Sequence, residues 1–256
     1  MKTIPKLRSP IVLVHGLFGF GQLKICGRTI ASYFANVPEL FSAAGNRVLI
    51  VQMCPTGGVV DRAAQLKAFL DKEAPDQPVH LLAHSMGGLD SRYMITRLGM
   101  AGRVLTLTSI GTPHQGTAFA DWGVKRLARL LMPMLKGIGI PYEAFFDLTT
   151  TRCRQFNDQT PDSPQVRYFS VAGFHEGGWH SPEWHLSHSI VTGKEGSNDG
   201  IVSVTSATYG ESCEIWKGDH ISLINWRNPL SQYRGKCQER TPQYTALVQR
   251  LADEGY

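Results

Sequence analysis

Residues 81–88 contain the residue types that a nucleophilic serine needs. The stretch reads Leu-Leu-Ala-His-Ser-Met-Gly-Gly, so an apolar run leads directly into Ser85, and small residues stand at positions 83, 87 and 88. A turn this sharp between a strand and a helix strains the serine backbone, and larger flanking side chains would clash there. The helix start also offers free N–H groups that favour developing negative charge. We predict that Ser85 is a catalytic nucleophile; the alternative is an ordinary N-cap with glycines nearby by chance.

Five segments, taken in chain order, resemble the motifs of one known family. They are residues 15–19 (His-Gly-Leu-Phe-Gly), 83–88, 111–116 (Gly-Thr-Pro-His-Gln-Gly), 198–202 (Asn-Asp-Gly-Ile-Val) with 206–207, and 219–220 with 224–225. In this pattern the chain resembles the bacterial true lipases of the α/β-hydrolase superfamily, the triacylglycerol lipases of family I. Ala83 replaces the first glycine of the usual Gly-x-Ser-x-Gly motif, which is the smallest possible departure. The resemblance implies an ester hydrolase whose serine, acid and histidine follow one another in that order.

His220 is the predicted general base. A serine hydroxyl is a weak nucleophile at neutral pH, and histidine can remove its proton because the ordinary imidazole pKa is about 6.5. Of the nine histidines, His220 is the one that comes late in the chain after the last predicted strand, as the order of the triad requires. The alternative for His220 is a surface residue at the start of a helix.

Asp199 is the favoured acid of the triad. It occupies a glycine-flanked turn before an Ile-Val pair and matches the lipase motif. Glu176 is the competing acid, because acids often follow the corresponding strand in this fold. Asp219 is adjacent to His220 in the sequence, which is an awkward geometry for accepting the Nδ1 proton.

Backbone N–H groups are predicted to hold the oxyanion of the tetrahedral intermediate. One donor is the N–H of Met86, the residue after the nucleophile. The resemblance places the other donor at Leu17, in the loop after the first predicted strand. His15, in the same loop, is expected to make a structural hydrogen bond.

The elements that must position these residues alternate along the chain. Apolar runs of strand length occupy residues 11–14, 47–53, 79–83, 104–110, 167–172 and 213–216, and helical periodicity covers 59–70, 86–98 and 241–252. Such alternation predicts an α/β fold with a mostly parallel central sheet flanked by helices. With the resemblance, we expect residues 1–256 to form a single α/β-hydrolase domain.

Residues 115–150 interrupt the alternation and are predicted to form a helical lid. A plain connection needs far fewer residues, and the resemblance places a lipase lid at this position. The segment combines apolar residues with a basic cluster, Lys125, Arg126 and Arg129. We predict that its apolar face covers the acyl site and moves toward a lipid–water interface. The alternative is an ordinary amphipathic helix that covers the sheet.

The composition excludes several classes of protein. The 256 residues are 42% hydrophobic and 18% charged, too apolar for a disordered chain, and no apolar run reaches the length of a membrane span. The net charge of +5 is scattered without a nucleic-acid-binding motif, so no nucleic-acid partner is expected. The five cysteines form no framework, and no signal peptide is visible, so the sequence leaves the location of the protein undetermined.

No cofactor is expected for the chemistry. Residues 174–188 hold four histidines and two acids, but their spacing does not match a compact zinc site, so no metal site is predicted. Lipases of this family often bind a structural calcium ion through an acid two residues beyond the catalytic histidine. Ser222 stands at that position here, so calcium is doubtful.

The predicted function is the hydrolysis of carboxylic esters through an acyl-enzyme intermediate. Among such esters, the resemblance favours triacylglycerols with medium or long acyl chains. Short-chain carboxylesterase, phospholipase A1 and thioesterase activities use the same triad and remain alternatives. An inactive binding protein with a hydrolase fold is the alternative from another class.

Overall fold

Short apolar runs of the sequence form the strands of a parallel sheet. The computed structural model describes residues 4–19, 22–25, 28–126, 143–176, 184–226 and 239–256. Its strands are β1 (Ile11–Val14), β2 (Gln22–Ile25), β3 (Arg28–Ser32), β4 (Val48–Ile50), β5 (Val79–His84), β6 (Val104–Ile110), β7 (Arg167–Phe174) and β8 (Ser212–Lys217). The order in the main sheet is β4-β1-β5-β6-β7-β8, and every neighbouring pair is parallel. Strands β2 and β3 form a separate antiparallel pair.

Helices lie between the strands along the chain and after the last strand. They are α1 (Val37–Ala43), α2 (Val59–Glu73), α3 (Met86–Arg97), α4 (118–126), α5 (Glu143–Asp147), α6 (Thr150–Gln159), α7 (His185–Glu195), α8 (Val204–Ala207) and α9 (Thr241–Asp253). Parallel strands need such crossovers, because the chain must return to the same end of the sheet before each new strand.

The sheet is buried on both faces because its strands are apolar at successive positions. In β1, Ile11 and Leu13 pack into a hydrophobic cluster with α1 and α9, whereas Val12 and Val14 pack into a cluster with α2 and α3. All six residues of β5 are buried. The two hydrophobic layers hold the sheet from both sides, so the carboxyl ends of β1, β5, β6 and β7 keep fixed positions.

The predicted architecture of a mostly parallel sheet flanked by helices is confirmed, but one predicted strand is too long. The strand expected at 47–53 spans only Val48–Ile50. Its partner β1 ends at Val14, so little ladder remains beyond Ile50. There the Val51 N–H donates to the Leu13 carbonyl at 3.3 Å, and the Met53 N–H donates to His15 Nε2 at 3.0 Å. A side chain thus replaces the ladder where the chain turns toward the site.

The described ends of the insertion at 115–150 are joined to each other. Residues 118–126 and 143–147 are helical, and residues 127–142, which include Arg129, lie outside the described residues. Asp121 on α4 accepts hydrogen bonds from the N–H and the hydroxyl of Thr150, at 2.9 and 2.8 Å. The two described ends of the insertion therefore lie side by side, with α4 bonded to the start of α6.

Candidate active site

Ser85 lies on the turn between β5 and α3. Its backbone has φ 55° and ψ −131°, a conformation that costs a residue other than glycine about 1–3 kcal/mol. Its N–H donates to the carbonyl of Ile110 on β6 at 2.8 Å, and its carbonyl accepts from the Thr112 hydroxyl at 2.7 Å. These two bonds hold the strained turn from both sides and keep Ser85 at the carboxyl edge of the sheet.

Three buried side chains form a continuous hydrogen-bonded path at this edge. His220 Nε2 lies 3.0 Å from Ser85 Oγ, and His220 Nδ1 lies 2.7 Å from Asp199 Oδ2. The carboxylate only accepts, so Nδ1 donates and the lone pair of Nε2 faces the serine hydroxyl. The second carboxylate oxygen accepts from the N–H groups of Ile201 and Val202, at 3.0 and 2.8 Å. A base in reach of a hydroxyl, oriented by an acid, can activate that hydroxyl as a nucleophile.

The two other candidate acids lie away from the imidazole. The Glu176 side chain is 77% exposed and pairs with Lys217 Nζ at 3.0 Å on the surface. Asp219 Oδ1 accepts from the Ser222 N–H at 2.8 Å, so this carboxylate serves the turn that follows His220. The fold therefore brings Asp199, of the three acids considered, to the Nδ1 atom of His220.

Two close approaches around Ser85 require glycine. A Cβ atom at Gly16 would lie 2.6 Å from the Cβ atom of Ser85, and one at Gly88 would lie 2.2 Å from Thr112 Oγ1. The loops after β1 and β6 consequently pack directly against the turn. This explains why small residues follow the serine, and why the loop that contains Leu17 begins with His-Gly.

The two predicted oxyanion donors lie on either side of this contact. Met86 is the first residue of α3, and Leu17 follows Gly16 in the loop after β1. Within the described ranges, no hydrogen bond uses the N–H of either residue. The neighbouring N–H groups are engaged, because Phe18 donates to the Pro55 carbonyl at 2.7 Å and Gly19 donates to the Gly16 carbonyl at 3.2 Å. The loop is thus held by hydrogen bonds on both sides of Leu17, while the N–H groups of Leu17 and Met86 themselves make none among the described residues.

A buried ion pair anchors the loop after β1. Arg62 on α2 donates from Nε to Asp90 Oδ2 on α3 at 2.8 Å, and from its terminal nitrogens to the carbonyls of His15 and Cys54, each at 2.7 Å. Burial raises the pKa of the Asp90 carboxyl to about 7, and the guanidinium of Arg62 acts in the opposite direction. Arg62 therefore ties the loop after β1 to two helices of the scaffold.

Sequence reasoning missed both members of this pair, although a signal was present. Arg62 falls on the apolar face of α2, between Val59 and Leu66 in helical spacing, and Asp90 lies one turn from Met86 on the buried face of α3. A charged residue on a buried face needs a partner, because an unpaired buried charge is costly. Two such residues on neighbouring helices predict an internal ion pair.

Neither a metal cluster nor a membrane span is evident in the part of the chain that the structure describes. In those ranges no three His, Cys, Asp or Glu side chains are grouped so that they could hold a metal ion. No helix there is long and apolar enough to cross a bilayer. Of the histidine-rich segment, His175 and His188 contact each other with ring centroids 4.5 Å apart, and His180 lies outside the described residues.

The chain belongs to the α/β-hydrolase family, which matches residues 11–221. The strained serine on the turn from β5 to α3 is the feature that this family match leads one to expect.

Individual relatives indicate which kind of α/β-hydrolase the chain is. The chain is 33% identical to "Triacylglycerol lipase 2" of Saccharomyces cerevisiae, over 87% of this chain and 82% of the yeast protein. It is 30% identical to a triacylglycerol lipase of Pseudomonas fragi, over 85% of this chain and 88% of that protein. The crystal structure of a mature Bacillus licheniformis lipase superposes with a TM-score of 0.73 at 25% identity, covering 94% of this chain and 91% of that one. The protein is accordingly a serine ester hydrolase of the lipase kind, as its sequence motifs predicted.

Four buried histidines predict a loss of stability at acid pH. Burial lowers the pKa of His15 and His80 to about 4, and it lowers the pKa values of His84 and His114 well below the ordinary 6.5. The unfolded chain therefore binds protons that the folded chain excludes, and stability present above pH 6.5 is lost as the pH falls toward 4. Each such group adds up to about 1.4 kcal/mol per pH unit to the slope of the free energy of unfolding. Urea unfolding at a series of pH values measures this slope.

His80→Gln tests the contribution of a single histidine. His80 lies at the start of β5, and among the described residues it bonds only to the Thr106 hydroxyl, at 2.9 Å. Glutamine keeps a hydrogen-bonding group there and does not titrate. Near pH 5 the slope should decrease by about 1.4 kcal/mol per pH unit relative to the wild type. An unchanged slope would contradict the buried, neutral state of this histidine.

Proposed function

We propose that the protein hydrolyses long-chain acyl esters, triacylglycerols first among them, with Ser85 as nucleophile, His220 as base and Asp199 as the orienting acid. The observation that carries the proposal is the hydrogen-bonded path from Asp199 through His220 to Ser85 Oγ. The relatives from yeast and Pseudomonas fragi, both named triacylglycerol lipases, support the substrate class.

The reaction follows from the direction of these hydrogen bonds. His220 Nε2 takes the proton of the Ser85 hydroxyl while Oγ attacks the ester carbonyl carbon. The protonated imidazole then donates this proton to the leaving alcohol, and an acyl-enzyme remains on Ser85. A water molecule repeats both steps and releases the fatty acid. Asp199 holds the Nδ1–H throughout and stabilises the imidazolium, and no step requires a cofactor.

The negative charge of the tetrahedral intermediate is assigned to two backbone donors. The N–H of Met86 stands at the start of α3, where the helix dipole adds to its effect. The N–H of Leu17 belongs to the loop that Arg62 ties to the scaffold through the His15 carbonyl. Donors held in place before the reaction are worth about 10²–10³ in rate each, because they need no rearrangement when the charge appears.

An exposed aromatic pair supports an apolar substrate. Phe18, next to the Leu17 donor, is 62% exposed with a backbone φ of 54°, and its ring lies 5.6 Å from that of Phe145 on α5. A large apolar side chain held out toward solvent beside a catalytic serine has a use if an acyl chain or a lipid surface covers it. We assign this pair to the entrance of the acyl site.

Residues 115–150 are proposed to act as the lid of this single-domain enzyme, residues 1–256. The two described ends of the insertion are hydrogen-bonded to each other through Asp121 and Thr150, as expected for a lid that is attached to the domain at one place. Lys125 and Arg126 are exposed on α4 and would meet an anionic lipid surface. The lipid–water interface is thus the proposed partner of the lid.

Replacement of the two candidate acids tests the triad. Asp199→Asn should lower kcat by about 10⁴-fold, because the amide no longer stabilises the imidazolium or enforces its tautomer. Glu176→Gln, which neutralises an exposed carboxylate of similar size, should change kcat less than about twofold. Hydrolysis of a soluble nitrophenyl ester gives both values. A larger loss in Glu176→Gln than in Asp199→Asn would contradict the assignment of the acid.

Acyl-chain selectivity tests the substrate class. Rates should rise from acetyl and butyryl esters to octanoyl and palmitoyl esters, and they should rise again above the solubility limit of the substrate, where an interface forms. Ser85→Ala supplies the background rate. A preference for acetyl esters with no gain at the interface would indicate a short-chain esterase. Faster release of thiol from acyl thioesters, or of the sn-1 fatty acid from phospholipid, would indicate a thioesterase or a phospholipase A1.

A further inference from the structure

A chain of hydrogen bonds joins the loop after β1 to the backbone of His220. The Gly16 N–H donates to Tyr33 Oη at 3.2 Å, and Tyr33 Oη lies 2.8 Å from His84 Nδ1. At the other side of the ring, His84 Nε2 lies 3.0 Å from the carbonyl oxygen of His220. Gly16 immediately precedes Leu17, so the path connects the proposed oxyanion donor with the proposed base.

The donors and acceptors along this path allow only one direction of hydrogen bonding. A carbonyl oxygen only accepts, so His84 donates from Nε2, and its Nδ1 lone pair accepts the hydroxyl hydrogen of Tyr33. The lone pairs of the Tyr33 hydroxyl are then available to the Gly16 N–H. Burial and the neighbouring His220 lower the pKa of His84 well below its ordinary value, and burial raises the pKa of Tyr33. Both side chains therefore keep the neutral forms that this direction requires.

The tyrosine is itself tied to the segment that follows His220. The Trp226 Nε1–H donates to the Tyr33 carbonyl at 2.6 Å, and the Ala35 N–H donates to the Ile224 carbonyl at 3.0 Å. The Asn225 side chain donates to the Ala35 carbonyl at 2.8 Å. Residues 33–35 thus move with residues 224–226, and the Tyr33 hydroxyl reaches from them to Gly16.

We propose that Tyr33 is a positioning residue. Its hydroxyl fixes the loop after β1, which contains Leu17, relative to the proposed base His220, and neutral His84 connects the two. The proposal rests on the function proposed above, because it concerns how the Leu17 N–H is aimed. With the Gly16 N–H held by Tyr33, the following peptide has its orientation fixed from one end. The other end is fixed by the bond from the Phe18 N–H to the Pro55 carbonyl.

A purely packing role for Tyr33 must be separated from this one. The Tyr33 ring contacts the rings of His15, Phe34 and His84, with centroids 5.4–5.7 Å apart. Tyr33→Phe keeps these ring contacts and removes only the hydroxyl. The matched control is Tyr168→Phe on β7, because the Tyr168 hydroxyl also accepts a backbone N–H, from Ser163, at 3.2 Å.

The test compares an oxygen ester with the corresponding thionoester. Sulfur is a weaker hydrogen-bond acceptor than oxygen, so a thionoester gains less from the two N–H donors. Tyr33→Phe should lower kcat for the oxygen ester by about 10-fold with KM nearly unchanged. The reason is that the buried Gly16 N–H loses its acceptor, so the loop no longer holds the Leu17 N–H in place. For the thionoester the loss should be much smaller. Tyr168→Phe should keep the wild-type ratio of the two substrates.

Variants of His84 test the link. Glutamine offers a donor and an acceptor as histidine does, whereas alanine offers neither. His84→Gln should therefore keep more of the preference for the oxygen ester than His84→Ala. Equal losses on both substrates in Tyr33→Phe, or no loss on either, would overturn the proposal and leave the enzyme's function intact. A wild-type protein inactive on both substrates would instead contradict the proposed function.

Discussion

Ser85 keeps a strained backbone because hydrogen bonds and close contacts from the loops around it hold the turn. Its φ of 55° is held by the Ile110 carbonyl on one side and the Thr112 hydroxyl on the other. The same turn presses against Gly16, where a Cβ would lie 2.6 Å from the serine Cβ. Ser85, the start of α3 and the loop that contains Leu17 are therefore parts of one contact. If the turn relaxed, all three would move.

Most of the polar groups that support this contact are neutral. Burial lowers the pKa values of His15 and His84, and it raises that of Tyr33, so these groups donate and accept hydrogen bonds without adding charge beside His220. The exception is the fully buried pair of Arg62 and Asp90. Removing either partner would leave a buried charge at a cost of about 3–5 kcal/mol. The site is thus held in place partly by buried neutral histidines, and protonation of these histidines at acid pH would destabilise it.

The sequence predicted what depends on local pattern. Apolar runs located the strands of the sheet, and the small residues around Ser85 marked the turn, because both signals lie within a few neighbouring positions. The hydrogen bonds behind the site could not be predicted in this way. Tyr33 and His84 are 51 residues apart, so their contact exists only after the sheet is assembled. Arg62 and Asp90 differ, because their places on buried helix faces mark both as charges that need a partner. The choice between Asp199 and Glu176 likewise depended on which loop turns inward.

The proposed reaction depends most on two backbone N–H donors that face Ser85 before the substrate binds. A crystal structure of the protein after reaction with a long-chain phosphonate tests it, because the phosphonyl oxygen takes the place of the oxyanion. The phosphorus should be bonded to Ser85 Oγ, with that oxygen about 2.7–3.1 Å from the backbone nitrogens of Leu17 and Met86. The same structure would show the acyl chain against Phe18. A phosphonate on another residue, or an oxygen turned away from both nitrogens, would contradict the account.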